Sequence, residues 1–238
     1  MKKVVELLGA ALIATSLTFS LATAAHAAPS AQNSAQSQTI ITPITNLLRI
    51  TGERNGDKVG VLCNAGYLFE KNNRVYGLTG EACGTKGDLF IVNANDKLQH
   101  VGRLVAKDTN ETSLLSVIEF DSNVLMGPSP APLPNGLQAR PLVNPVMYRV
   151  SGNTWMKVPI LLTRVRDDQL GVSSFAFSCD TSQVIPGSVI LAQNPQGPFL
   201  GIYTGFYNYS RKHLGVCYGV ANSYLEDFAA TGKWQSTL

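Results

Sequence analysis

From Val59 to Thr204 the sequence is a succession of short apolar runs, rich in β-branched and aromatic residues, recurring about every ten residues. The runs at 59–62, 65–69, 74–79 and 88–92 open the series, with Lys71-Asn72-Asn73 as a turn between two of them. Runs at 101–105, 114–118, 145–150, 158–162, 173–177, 188–192 and 199–204 follow. A chain so patterned predicts an all-β fold, either a sandwich or barrels. In its middle stand Pro128, Pro130, Pro132 and Pro134, four prolines in seven residues. Proline cannot donate to a sheet ladder, so this stretch predicts a stiff, extended connector. It divides the runs into two roughly equal groups, which favours two small barrels over one sandwich.

The chain ends on a helical pattern. Val220, Tyr224, Leu225 and Phe228 share a face, Ser223 with Glu226 predicts a capping box, and Gly232 is placed to end the helix.

At the other end, Met1-Lys2-Lys3 precedes an apolar stretch from Val4 to about Ala25 and the small-residue pattern Ala25-His26-Ala27. This order predicts a signal peptide over residues 1–27, the alternative being a membrane anchor. Residues 28–39 carry no charge and little apolar bulk, so they predict a disordered leader. No second apolar segment approaches spanning length. Losing Lys2, Lys3 and Glu6 takes the net charge from +3 to +2. A balance so near zero argues against nucleic acid or an anionic membrane as partner.

All four cysteines, Cys63, Cys83, Cys179 and Cys217, lie beyond this leader. An even number in an exported chain predicts two disulfides. Zinc is disfavoured: there is no C-x-x-C pair, and only His100 and His213 remain as imidazoles. Both histidines read as surface residues. No metal or other cofactor is expected.

Five short motifs, in order, resemble the trypsin-like, chymotrypsin-family serine proteases, in particular their streptogrisin-like bacterial branch. Leu78-Thr79-Gly80-Glu81-Ala82-Cys83 is similar to the family's Leu-Thr-Ala-Ala-His-Cys. Cys63-Asn64-Ala65-Gly66-Tyr67 resembles the opening of the strand disulfide-bonded to that motif, and Glu111-Thr112-Ser113-Leu114-Leu115 its Asp-x-Ala/Thr-Leu-Leu segment. Gln183-Val184-Ile185-Pro186-Gly187-Ser188-Val189-Ile190 sits where Gly-Asp-Ser-Gly-Gly-Pro-Val-Val is expected, six residues from Cys179 to Ile185. Gly201-Ile202-Tyr203-Thr204-Gly205 looks like the family's substrate strand.

The resemblance covers residues 43–232 and implies two six-stranded antiparallel Greek-key barrels with a short C-terminal helix. It divides the chain into an N-terminal barrel at 40–127, a connector at 128–136, and a C-terminal barrel with helix at 137–238. It also implies the disulfides Cys63–Cys83 and Cys179–Cys217.

No motif is intact. The histidine position is Ala82, the aspartate position Glu111 and the serine position Ile185. Gln183 and Val184 replace the glycine and aspartate of the oxyanion loop, and Pro186 removes a further donor there. Acyl transfer needs a hydroxyl, a base and an orienting carboxylate, and these positions supply none in working form. Ser188 is the fallback nucleophile, although using it breaks the spacing from Cys179. Thr204, Gly205 and Phe206 take the substrate-strand positions, and the phenyl ring of Phe206 is expected to lie buried across the specificity pocket. Tyr203, Phe206, Tyr207 and Tyr209 form an aromatic group whose exposure marks recognition or whose burial marks core.

The expected function is thus a secreted pseudoprotease that binds a protein or extended peptide, outside the cell or on its envelope. The alternatives are an active serine endopeptidase with displaced motifs, and a structural envelope protein.

Overall fold

The computed structural model describes residues 38–54, 57–94, 97–108, 113–132, 146–149, 154–158, 160–167, 171–180, 184–207, 214–232 and 234. The expected signal peptide and nearly all of the expected leader lie outside these residues, as do Glu111, Gln183 and His213.

The chain forms β1 (Thr39–Ile41), β2 (Asn46–Arg54), β3 (Asp57–Asn64), β4 (Tyr67–Lys71), β5 (Arg74–Gly80), β6 (Leu89–Ala94), β7 (Lys97–Lys107), β8 (Leu115–Phe120) and β9 (Val124–Met126). There follow β10 (Val146–Arg149), β11 (Thr154–Lys157), β12 (Ile160–Asp167), β13 (Gly171–Asp180), β14 (Val189–Leu191), β15 (Phe199–Tyr207), β16 (Leu214–Ala221) and the helix α1 (Asn222–Thr231). One sheet has the order β3-β2-β6-β7-β8-β5-β4 and the other β11-β10-β14-β15-β16-β13-β12. The two orders are the same topology, offset by eight strands.

The edge strands of each sheet are consecutive in the chain. β3 and β4 are separated by Ala65 and Gly66 alone, and β11 and β12 by two residues. Each pair is one strand bent at a corner, so the sheet curls until its edges meet. Counted that way each barrel has the expected six strands, and the fold is all-β with one terminal helix.

Alternation along the strands supplies three apolar clusters. On β8, Leu115 and Val117 face one cluster while Ile118 and Phe120 face another. On β14, Val189 and Leu191 face one way and Ile190 the other. One cluster fills the N-terminal barrel around Leu47, Phe90 and Leu104, and another the C-terminal barrel around Phe175, Phe177 and Tyr203. The third draws on both: Phe69, Tyr76, Leu78 and Val117 from the first barrel, Ile202, Val220, Leu225, Phe228 and Trp234 from the second. Strands buried on both faces lose the hydrophobic–polar alternation of a half-exposed sheet, which is why these runs are so apolar.

Both disulfides form as expected, Cys63–Cys83 and Cys179–Cys217, with Cα atoms 5.8 and 5.9 Å apart. They close loops of 20 and 38 residues. On a chain-entropy basis each contributes roughly 3 to 4 kcal/mol.

The terminal helix buries Tyr224, Leu225 and Phe228 and ends at Gly232 with φ 65°, both as expected. Its start differs. The N-cap is Ala221, with no side-chain cap, and Asn222 Nδ2 donates to Glu226 Oε1 at 2.9 Å. The capping box is not formed because β16 runs directly into the helix at Ala221, which leaves Ser223 inside the first turn. Beyond the helix Trp234 is fully buried, its ring 4.9 Å from that of Tyr76. Lys71 Nζ reaches the Ala229 and Ala230 carbonyls at the helix end, at 3.5 and 3.4 Å.

Of the connector, residues 128–132 are described. Proline donates no ladder bond, but the neighbouring carbonyl of Ala131 accepts the Phe199 N–H at 2.6 Å, and Pro132 forms a bridge with Phe199. Among the described residues no helix is long and apolar enough to cross a membrane.

Candidate functional site

The two barrels meet at the turns that carry Ala82 and Ile185. Ala82 lies in the short 3-10 turn Glu81–Cys83 that follows β5, and it is exposed. Ile185 begins a tight turn, Ile185-Pro186-Gly187-Ser188, with Gly187 at φ 82°. Proline second and a positive-φ glycine third is the pattern of a type II β-turn, closed by Ser188 N–H donating to the Ile185 carbonyl at 3.1 Å.

This turn is pressed into the other barrel. The Asn64 N–H donates to the Pro186 carbonyl at 2.8 Å, and the Cys83 sulfur stands 4.0 Å from the same oxygen. A Cβ on Gly80 would lie 2.7 Å from Pro186 Cβ and 2.5 Å from the Thr204 carbonyl oxygen. A Cβ on Gly187 would lie 2.3 Å from the Asn64 carbonyl oxygen and 2.4 Å from Thr79 Oγ1. The Gly187 N–H donates to the Tyr203 carbonyl, and the Tyr203 N–H to the Ser188 carbonyl, both at 2.8 Å. Thus β3, β5, the turn and β15 converge on one point, as the spacing of the motifs predicts.

The described side chains at this point are largely apolar. Ala82 carries a methyl group and Ile185 a half-buried butyl group. Val184 is buried among Phe177, Cys179, Leu200 and Tyr203, so apolar packing holds the loop where a carboxylate was expected. Ser188 is fully buried, and its hydroxyl donates to the Ile185 carbonyl at 2.7 Å, with Asn64 Oδ1 3.2 Å away. The hydroxyl is held inside the turn.

Asn64 and Thr79 received no role from the sequence, yet Asn64 bonds across to the turn of the other barrel and Thr79 holds Asn64. Asn64 is fully buried, and its Nδ2 donates to the Ile44 carbonyl and to Asn46 Oδ1 at 3.1 and 2.9 Å. Thr79 Oγ1 donates to the Asn64 carbonyl at 2.9 Å. Their signal was present in the Cys63-Asn64 and Leu78-Thr79 motifs, where attention went to the catalytic positions instead. Asp108 was missed altogether. One of its carboxylate oxygens accepts from Ser113 Oγ and from the Tyr224 hydroxyl, each at 2.6 Å, and so ties the chain before β8 to the helix.

The rim of the site is charged on one side. Lys107 Nζ pairs with Glu81 Oε1 at 2.8 Å beside Ala82. After that turn, Asp88 Oδ2 accepts from the Thr85 N–H and from Arg49 Nη1, both at 2.7 Å. The Thr85 amide first, then Arg49, holds the Asp88 carboxyl below the usual range.

On β15, Thr204 and Gly205 are buried, as is every residue back to Phe199. Phe206 is the first exposed position, at 46%, so it is not the buried lid expected. Leu114 packs on the neighbouring Gly205: its Cδ1 lies 2.6 Å from where a Cβ on Gly205 would be. Tyr203 belongs to the core at 3% exposure, and burial pushes its hydroxyl pKa up. The side chains of Tyr207 and Tyr209 lie outside the described residues. His100 is exposed as expected, its Nδ1 2.7 Å from Asp121 Oδ2.

No protein-family profile and no curated protein sequence matches the chain. Solved structures do match. A Nocardiopsis protease superposes over 80% of this chain and 97% of its own, with TM-score 0.51 and 15% identity. The HtrA-type protease AlgW, solved with a tripeptide, superposes over 83% of this chain with TM-score 0.52 and 17% identity, and this chain spans 62% of that one. The likeness establishes the fold, that of the trypsin-like serine proteases.

Proposed function

We propose that the protein is an exported pseudoprotease, a serine-protease fold that binds an extended peptide or a protein surface without cleaving it. The observation that carries this reading is the pair of turns at the barrel junction. They bring the segments of Ala82 and Ile185 together in the expected order, and neither position has a titratable or nucleophilic atom. The hydroxyl of Ser188, in the same turn, is buried and engaged with a carbonyl. Export is supported by the leader pattern and by the two disulfides.

Peptide binding is supported by β15. β14 pairs with it only as far as Ile202, while β16 pairs with Gly205, Phe206 and Tyr207 on the opposite side. Among the described residues no strand pairs with that side of β15 beyond Ile202, and an extended peptide can add as a further strand where β15 comes to the surface at the exposed Phe206.

The deciding experiment is incubation of the purified protein with a fluorophosphonate probe, with intact mass as readout. No adduct is expected. Labelling at Ser188 or any other serine, removed by mutating that serine, would establish an active peptidase in its place.

A further inference from the structure

A second concave site lies at the far end of the N-terminal barrel. It holds about 770 Å³ and is lined by Lys97, Leu98, Gln99, His100, Asp121, Ser122 and Asn123. β8 starts at the barrel junction with Leu115 and ends at Phe120, just before Asp121. Six residues of extended chain separate the two sites by about 20 Å. Nothing in the peptide-binding reading uses this cleft.

Its lining is rich in donors. Lys97 contributes an ammonium, Gln99 and Asn123 amides, and Ser122 a hydroxyl. Lys97 takes part in no ion pair among the described residues. The single carboxylate, Asp121, is already engaged by His100 Nδ1 at 2.7 Å, which leaves Nε2 as the ring's other polar atom. An anionic head is the partner that such a set can satisfy, through Lys97 and the neutral donors.

Beside the head site the surface is apolar. Leu98 lines the cleft and is 52% exposed. Asn123 leads directly into β9 and accepts the Thr39 N–H at 3.0 Å, which docks the β1–β9 ribbon onto the rim. In that ribbon Ile40 and Leu125 are register partners, with Ile41 and Val124 buried beneath them. Ile40 is 63%, Leu125 43% and Met126 40% exposed. Leu98 inside the cleft, and Ile40 with Leu125 two residues along the strand from the lining Asn123, stay in water beside these donors, which calls for a ligand with both characters.

We propose that this cleft binds a single-headed anionic amphiphile, an alkyl or acyl chain ending in a phosphate or carboxylate. The head sits among Lys97, Gln99, His100, Ser122 and Asn123, and the chain lies along Leu98, Leu125 and Ile40. The source is a free amphiphile or a lipid of a bilayer.

Amide chemical shifts of the purified protein, titrated with dodecyl phosphate below its micelle-forming concentration, test this. Saturable shifts are expected at residues 97–100 and 121–126 and at Ile40, at least about tenfold tighter than with inorganic phosphate. Lys97→Gln with His100→Gln, and separately Leu98→Asp, should each weaken binding about tenfold or more. All three positions are exposed, and an unchanged far-ultraviolet spectrum checks the fold. Absence of saturable shifts, equal affinity for inorganic phosphate, or indifference to both variants overturns the proposal. Sedimentation with phosphatidylglycerol but not phosphatidylcholine vesicles assigns the ligand to a bilayer. Binding of dodecyl phosphate with no sedimentation assigns it to a free amphiphile.

Discussion

The hydroxyl of Ser188 donates to the carbonyl oxygen of Ile185, 2.7 Å away across the Pro186-Gly187 turn. A serine held this way stiffens a loop and has no exposed oxygen to attack with. Ser188→Ala should therefore cost about 1–2 kcal/mol of stability and leave peptide binding unchanged. Thermal unfolding should shift down by about 2–4 °C per kcal/mol. A variant that unfolds like the wild type but loses a fluorophosphonate adduct would assign the hydroxyl a chemical role.

Gly187 and Gly87 both have positive φ, at 82° and 94°, but differ in their surroundings. A Cβ on Gly187 would collide with Asn64 and Thr79, while nothing lies within 4 Å of one on Gly87. Gly87→Ala should cost only the backbone strain, about 1–2 kcal/mol. Gly187→Ala should add a steric wedge between the barrels and cost about 3 kcal/mol or more. Denaturant titrations of the pair read the difference.

Asp88 gives the protein an acid-sensitive contact. Its folded pKa is lowered by the Thr85 amide and by Arg49, so its contribution is complete above the ordinary carboxylate range and fades as pH falls through the folded value. Asp88→Asn should destabilise by about 1 kcal/mol at neutral pH, a figure discounted for partial exposure. The gap between variant and wild type should close below the folded pKa. A gap that stays constant down to the acid transition would show that the carboxylate charge is not what matters.

Trp234 packs against Phe69 and Tyr76 of the other barrel, with ring centroids 6.0 and 4.9 Å away. Trp234→Ala should cost about 3–5 kcal/mol. The loss should appear in one unfolding transition, seen equally by circular dichroism and by tyrosine fluorescence.

Restoring chemistry one residue at a time should fail. Ile185→Ser places a hydroxyl beside Ala82, which cannot take its proton, and Ala82→His supplies a base with nothing to activate. Even with Glu111→Asp added, Gln183 and Val184 remain in the oxyanion loop. Labelling by fluorophosphonate is expected at the earliest in the variant that also carries Gln183→Gly and Val184→Asp.

Much of this architecture was legible because apolar runs and disulfides are local or countable. The β-branched runs located β3 to β8, β10 and β12 to β15, and the motif order placed the junction of Ala82 and Ile185. β2 and β16 were not legible. The second half of β2 is Thr51-Gly52-Glu53-Arg54, too polar to read as a strand, and it is held by pairing with β3. β16 contains Gly215 and Gly219, which lower strand propensity, but a Cβ on Gly219 would lie 2.4 Å from the Phe175 ring. The glycine is a packing requirement of a partner 44 positions away in the sequence. Phe206 was misread because the exposure of a ring at a strand end depends on which distant segments pack beside it, which the sequence does not reveal.

The cluster shared by Tyr76, Ile202 and Trp234 has a consequence for proteolysis. A barrel whose outer wall is completed by its neighbour has no stable existence alone, so the duplicated halves behave as one cooperative unit. A protease nick between Pro132 and Val146 should therefore be silent under native conditions. The two fragments should migrate together through gel filtration and part only in denaturant, each then unable to regain ordered structure without the other.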